Sequence, residues 1–212
     1  LENFIFAGSG LGTEEERVKW DHKFSGKDYM YGKKPIPFLK ENIGLLGKGR
    51  ALEVAAGEGR NAVFLALEGF EVDALDISRA GLEKVLSLAK EKGVEGKVHA
   101  IQADLDSYSF PEGLYDTIVM VNFTDKKLTA KLAKALKPEG TLLYAAKTLD
   151  FVRKQGKKFN PDYLWEANEV LDHFKFFFMV IKYEENSNDP ACGVFFVGKR
   201  REFLSQNPLC KP

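Results

Sequence analysis

The stretch Arg-Ala-Leu-Glu-Val-Ala-Ala-Gly-Glu-Gly-Arg-Asn, residues 50–61, constrains this 212-residue chain more than any other. Ala51, Leu52, Val54 and Ala55 read as a short buried strand, Gly57 and Gly59 as a turn, and Arg60-Asn61 as the start of a helix. A strand feeding a glycine turn and a helix N-terminus is a nucleotide cradle. Glycine lets the backbone approach a ligand, and the first helical N–H groups favour negative charge. Glu53 stands out: it puts a carboxylate inside an apolar strand, where an unpaired charge is costly. Binding a cofactor is the role it is expected to have.

Around the cradle the chain alternates. Strands are predicted at 50–55, 70–75, 98–103, 117–121 and 141–146, with helices at about 38–46, 60–68, 79–92 and 128–136. Gly69 and Gly93 end two of the helices, Ser78 is a natural N-cap, and Pro138-Glu139-Gly140 closes the helix at 128–136. Strand–helix alternation implies a parallel sheet with helices on both faces. After residue 147 the pattern breaks. A basic stretch at 148–160 reads as a loop, Pro161 as the start of a helix ending near His173, and the apolar run 174–183 as a central buried strand. A short polar turn leads to a strand at 192–197, so these two strands must be antiparallel neighbours. The expected fold is α/β: a Rossmann-like three-layer sandwich on a mostly parallel seven-stranded sheet ending in an antiparallel hairpin. Residues 17–200 are expected to form a single domain, with 17–48 as an N-terminal lid and helix. Residues 1–16 are expected to be loosely ordered and 201–212 to be a peripheral tail.

Hydrophobic residues make up 44% of the chain, enough for a two-faced core, and the formal net charge is zero. That balance leaves no global electrostatic footprint for nucleic acid or an anionic membrane. No apolar run approaches the roughly 20 residues of a membrane span. Cys192 and Cys210 are too few for a disulfide framework and read as thiols in a reducing compartment, so the expected location is cytoplasmic. His22, His99 and His173 have no metal-ligand spacing, so no metal is expected. The opening residues lack Met and the basic start of a signal peptide, and carry no weight.

Three acids sit at or near predicted strand ends: Glu53, Asp76 and Asp104. Asp76 lies 19 residues past Gly57, where an acid reaches ribose hydroxyls in dinucleotide sites. Asp104 is positioned to accept from an adenine amino group. Three acids in register with a glycine turn point to an adenosine-bearing ligand. Gly57, Gly59 and Ala62 also satisfy G-x-G-x-x-[GA], which permits a nicotinamide cofactor. Glu53 argues against one, because a carboxylate beside the turn repels a pyrophosphate and welcomes a cation such as an amino group.

Glu53-Val-Ala-Ala-Gly-Glu-Gly-Arg-Asn61 resembles the first motif of class I S-adenosylmethionine-dependent methyltransferases. Its Arg60-Asn61 ending is similar to the tellurite-resistance and thiopurine methyltransferase-like branch. Val72-Asp-Ala-Leu-Asp-Ile-Ser78, Ala103-Asp-Leu105, Tyr115-Asp116 and Leu136-Lys-Pro-Glu-Gly140 support the superfamily. Trp20-Asp21 and Tyr29-Met-Tyr-Gly-Lys-Lys-Pro35 resemble the branch's N-terminal segment. The resemblance covers about residues 17–200 and implies strand order 3-2-1-4-5-7-6. It implies that Glu53 holds the methionine amino end and that Gly57 and Gly59 pass under the methionine and ribose. Asp76 then binds the ribose, with Ile77 against the adenine. Asp104 and Leu105 face the adenine amino group, and Asn122 and Phe123 lie near the transferable methyl. Trp20, Tyr29, Tyr31 and Gly32 belong to the closing segment, and Arg60 and Asn61 to the cradle. Ala55 departs from the pattern, standing where the family has its first glycine, and Ile36 replaces a polar residue.

The expected activity is S-adenosylmethionine-dependent methyl transfer to a small-molecule nucleophile. A thiolate or other chalcogen anion would need no general base, and no catalytic residue is assigned. Val121-Asn-Phe-Thr-Asp125 differs from the N-P-P-aromatic loop of enzymes that methylate nucleic-acid bases. Neither nucleic acid nor membrane is an expected partner, and a monomer or weak homodimer is expected. An NAD(P)-dependent oxidoreductase and a non-enzymatic cofactor-binding protein of the same fold are the alternatives. Asp116, at the far end of its strand, reads as structural. Lys147 reads either as a solvated lysine or as a guide for an anionic acceptor.

Overall fold

The structure, a computed structural model, describes residues 4–6, 14–156 and 158–201. They fall into two compact units. One combines the chain up to Gly44 with Lys48–Phe110, and the other combines Leu45–Gly47 with the chain from Pro111.

The first unit begins with β1 (Phe4–Phe6) and α1 (Glu14–Phe24). The acidic run expected to be loose is the first turn of α1. Glu14, Glu15 and Glu16 face the positive end of the helix dipole, His22 and Lys23 sit in the last turn, and Arg17 bridges Glu14 and Asp21. The other calls on residues 1–3, 7–13 and 202–212 lie outside the described residues. Then come α2 (Pro37–Asn42), with proline in its first turn, β2 (Arg50–Val54), α3 (Arg60–Leu67), β3 (Glu71–Asp76), α4 (Arg79–Glu91) and β4 (Val98–Gln102). β2, β3 and β4 pair in parallel, Leu52 opposite Asp73 and Leu75 opposite Ile101. β1 adds to the outer edge of β4, also in parallel, which the sequence pattern did not reveal. Burial runs almost unbroken along β2, β3 and β4, as a sheet covered on both faces requires.

The second unit holds β5 (Tyr115–Val121), α5 (Leu128–Ala135), β6 (Leu136–Ala146), α6 (Leu149–Lys154), α7 (Glu169–Phe174), β7 (Phe178–Glu185) and β8 (Val194–Arg200). β6 runs parallel to β5 and antiparallel to β8, and β8 pairs antiparallel with β7. The full strand order is β1-β4-β3-β2-β5-β6-β8-β7. It contains the expected seven-strand order and hairpin, with β1 as an eighth strand.

Four local expectations fail. Pro138-Glu139-Gly140 lies inside β6. The strand pairs through Leu136 with Tyr115, loops out at Glu139 (φ 64), and resumes pairing at Thr141 opposite Thr117. The basic stretch after residue 147 contains α6, because the Thr148 hydroxyl accepts from Phe151 N at 3.2 Å and the helix buries Phe151 and Val152. Pro161 opens only a 3-10 turn (Pro161–Tyr163), and α7 starts later. The apolar run 174–183 feeds an edge strand rather than a central one: Phe178 is buried, while Met179 and Ile181 face outward. β8 takes the inner position. Asp116 is structural, paired with Lys137 at 2.8 Å.

Candidate functional site

In the first unit β2 delivers Glu53 into a fully enclosed position, 2% exposed. Asn61 Nδ2 donates to its Oε1 at 2.9 Å, and the Ala62 backbone N–H donates to its Oε2 at 2.7 Å. The carboxylate therefore caps the first turn of α3. Burial pushes its pKa up to about 8, against the two hydrogen bonds that favour the ionised form. This occupies the N–H position where a dinucleotide fold receives pyrophosphate, with a group that a neighbouring cation would ionise and a neighbouring phosphate would keep protonated.

The turn after β2 is tightly built. Ala55 (φ 54), Gly57 (φ 54) and Gly59 (φ 84) all adopt left-handed backbone. A Cβ on Gly59 would stand 2.7 Å from a Val85 methyl, so helix α4 packs where only glycine fits. Asp76 ends β3 and ties down the turn: Gly57 N donates to its Oδ2 at 2.7 Å, and Ser78 N to its Oδ1 at 2.8 Å. Burial raises Asp76 to about 6, opposed by those N–H bonds and reinforced by nearby Asp21. A carboxylate has about four lone-pair sites. Asp76 thus keeps acceptor capacity beyond its two backbone bonds.

Ile77 follows, its carbonyl accepting from the amide of Gln102 at 3.1 Å. Asp104 and Leu105 are half-buried just past β4, and Asp104 Oδ1 accepts from Asp106 N at 3.0 Å, holding the loop in an Asx turn.

The aromatic segment lies against this cradle. The Phe24 ring comes 3.5 Å from the position a Gly57 Cβ would take. It stacks with Trp20 (centroids 5.5 Å) and meets Tyr31 edge-on (6.4 Å). Arg60 donates to the Tyr31 carbonyl at 3.1 Å, and Ile36 N donates to Asn61 Oδ1 at 3.1 Å. Gly32 takes φ 70. Glu53, Ala55, Gly57, Gly59, Arg60, Asn61 and Asp76 thus form or contact the turn directly, and Tyr31 joins it through Arg60. Trp20 reaches it only through Phe24, whereas Tyr29 bonds Lys84 of α4, Ile77 bonds Gln102 and Gly32 lies in open space. Two residues to which the sequence assigned no role share the site. Asp21 accepts from the Ser78 hydroxyl at 2.7 Å and from Ala80 N at 3.1 Å, so α1 caps α4. Glu58, between the glycines, is buried and paired with Lys84 at 2.7 Å. Nothing local in the sequence marks either partnership.

In the second unit, Asn122 and Phe123 follow β5. Asn122 is left-handed (φ 57), and its Oδ1 accepts from Lys147 Nζ at 2.7 Å and from the buried Cys192 thiol at 3.4 Å. The Phe123 carbonyl accepts from the Tyr144 hydroxyl at 3.0 Å, which in turn accepts from Trp165 Nε1 at 2.7 Å. Burial raises the Tyr144 pKa far above the ordinary phenol value, so this hydroxyl keeps its proton and serves as a strut. His173 is packed in the adjoining aromatic cluster and touches Thr129. Among the described residues, no group of His, Cys, Asp and Glu could hold a metal ion. No helix there is long and apolar enough to cross a membrane.

The fold is Rossmann-like, and solved methyltransferases share it. Residues 51–140 match a family model described as a methyltransferase domain. The chain is 32% identical over 142 residues to the ubiquinone/menaquinone biosynthesis C-methyltransferase UbiE of Teredinibacter turnerae, covering 63% of this chain and 55% of that one. It spans about half the length or less of the curated relatives it matches. Two solved structures share the fold at a TM-score of 0.63. Geranyl diphosphate C-methyltransferase from Streptomyces coelicolor A3(2) is 12% identical, with 76% of this chain and 74% of that chain covered. TehB from Haemophilus influenzae is 14% identical, with 88% and 67% covered.

Proposed function

We propose that this chain is a methyltransferase that takes S-adenosylmethionine as cofactor and a small molecule as acceptor. The observation that carries the reading is Glu53 capping α3 from within β2. That carboxyl holds its proton tightly when the site is empty and is ionised by a neighbouring cation, so it suits the cationic, phosphate-free methionine end of this cofactor and not a pyrophosphate. The streptomycete fold relative was solved with S-adenosyl-L-homocysteine, which supports the choice. When bound, the cofactor supplies an electrophilic sulfonium methyl. The chain's own task is orientation and exclusion of water.

In this reading Glu53 and Asn61 receive the amino end, and Gly57 and Gly59 let the backbone run close beneath the ligand. Asp76 offers its remaining lone pairs to the ribose hydroxyls. Ile77 and Leu105 flank the adenine and Asp104 accepts from its amino group. Asn122 and Phe123 present the acceptor side, with Lys147 supplying a positive charge beside Asn122. An already ionised acceptor, a thiolate or other chalcogen anion, suits that charge. The tellurite-resistance and thiopurine-like assignment rests on Arg60-Asn61 and the segment from Trp20 to Pro35.

Calorimetric titration with S-adenosylmethionine, S-adenosylhomocysteine and NADH tests the reading, using wild type, Glu53→Gln and Asp76→Asn. Both sulfur ligands should bind wild type, NADH should not, and each variant should weaken binding at least tenfold while its circular dichroism stays native. Binding of NADH alone, or of none of the three, overturns it.

A further inference from the structure

Residues 25–35 have little to hold them by apolar burial. Met30 is 51% exposed and Tyr31 46%, and the space around Gly26 and Gly32 is open. Yet the segment is fixed at both flanks, by buried Phe24 at the end of α1 and buried Ile36 before α2. Between those anchors most of its polar contacts converge on one ion pair, while Lys33 makes a separate, exposed pair with Glu91 at the end of α4. Glu58 is the residue between the two glycines of the turn, its side chain 2% exposed, and it accepts from Lys84 Nζ at 2.7 Å. Its second oxygen accepts from the Tyr31 backbone N–H at 3.2 Å. Lys84 also donates to the Asp28 carbonyl at 2.7 Å, and the Tyr29 hydroxyl donates to the Lys84 carbonyl at 2.9 Å. Arg60 holds the Tyr31 carbonyl from the other side.

We infer that Glu58 and Lys84 form the latch that holds the 28–34 strap down on the glycine turn, making Glu58 a positioning residue for the cofactor site. The latch grips the strap mainly through main-chain groups at 28 and 31, so its hold depends little on which side chains the strap carries. Glu58 is part of the turn itself, so strap closure and turn geometry are coupled. A buried pair that loses one partner leaves the other charge uncompensated, which makes this contact all-or-none. Ligand exchange at the turn then requires the Glu58–Lys84–Tyr31 contact to open. The role at the cofactor site rests on the methyltransferase reading, whereas the latch itself does not.

The test has two arms. In ligand-free protein, amide hydrogen exchange at 28–34 should rise about tenfold or more in Glu58→Gln and in Lys84→Met. The double variant should show no further rise, and amides of β3 and β4 should stay protected. In stopped-flow, S-adenosylhomocysteine should dissociate at least about fivefold faster from either variant. Should Glu58→Gln fail to fold, Lys84→Met, which keeps an unbranched, helix-compatible side chain on α4, decides alone. Folded variants with wild-type exchange at 28–34 overturn the latch. Looser exchange with unchanged dissociation overturns its role at the cofactor site. Failure of S-adenosylhomocysteine to bind wild type counts against the methyltransferase reading and leaves the latch to be judged by exchange.

Discussion

Ala55 is the residue at which local chemistry and backbone geometry conflict. It is an L-residue held at φ 54, where a Cβ crowds the following carbonyl. Such a conformation costs roughly 1–2 kcal/mol, and glycine returns roughly 0.5–1 kcal/mol of that as added chain entropy in the unfolded state. Ala55→Gly should therefore stabilise the protein, by up to about 1 kcal/mol, read as a raised urea midpoint with an unchanged slope. A lowered midpoint would show that the methyl packs usefully. The departure from glycine was visible in the sequence, and so was the oddity of Glu53. The partners of Glu53 were not: Asn61 and Ala62 reach it only because α3 folds back over the end of β2. Glu58 carried no role in the sequence for the same reason, since its partner Lys84 lies on a different element, α4.

Ser78 shows an element's start signal working as read. Its hydroxyl accepts from Gly81 N at 3.1 Å and caps α4, but it also donates to Asp21, which joins α1 to the same cap. Ser78→Ala should cost about 1–2 kcal/mol, more than a lone cap, because Asp21 loses a buried donor as well. Denaturant unfolding measures it, and a loss under about 0.5 kcal/mol would show that the Asp21 bond contributes nothing. Elements with strong periodicity and clear punctuation, such as α3, α4 and the strands between them, were legible. Short ones were not. α6 spans too few residues to display a helical face, and its basic side chains masked the buried pair Phe151 and Val152. β7 is apolar on both faces, so its pattern resembles a central strand, although only its inner face is covered.

At the scale of the whole molecule, two buried carboxylates make stability depend on pH. Glu53 rises from 4.5 to about 8 and Asp76 from 3.8 to about 6, both through burial. The folded state thus binds these protons more tightly than the unfolded chain. Their stabilising contribution is complete below the ordinary carboxylate range and is lost as pH rises, through about 6 for Asp76 and about 8 for Glu53. The Tm of wild type should fall between pH 5 and 8.5 on this account, and Glu53→Gln should flatten the upper part of the curve. Parallel curves for the two proteins above pH 6 would refute it. The sequence alone determined the alternation of strands and helices, the strand–turn–helix cradle and the antiparallel finish. Those follow from hydrophobic period, glycine conformation and caps, which act between residues a few positions apart. Tertiary structure decided which carboxylate oxygens are already engaged, that Glu58 meets Lys84, that β1 joins the sheet and that β7 lies at its edge. Each of these depends on groups far apart along the chain meeting in one place, and only the packed sheet and its helices bring them there.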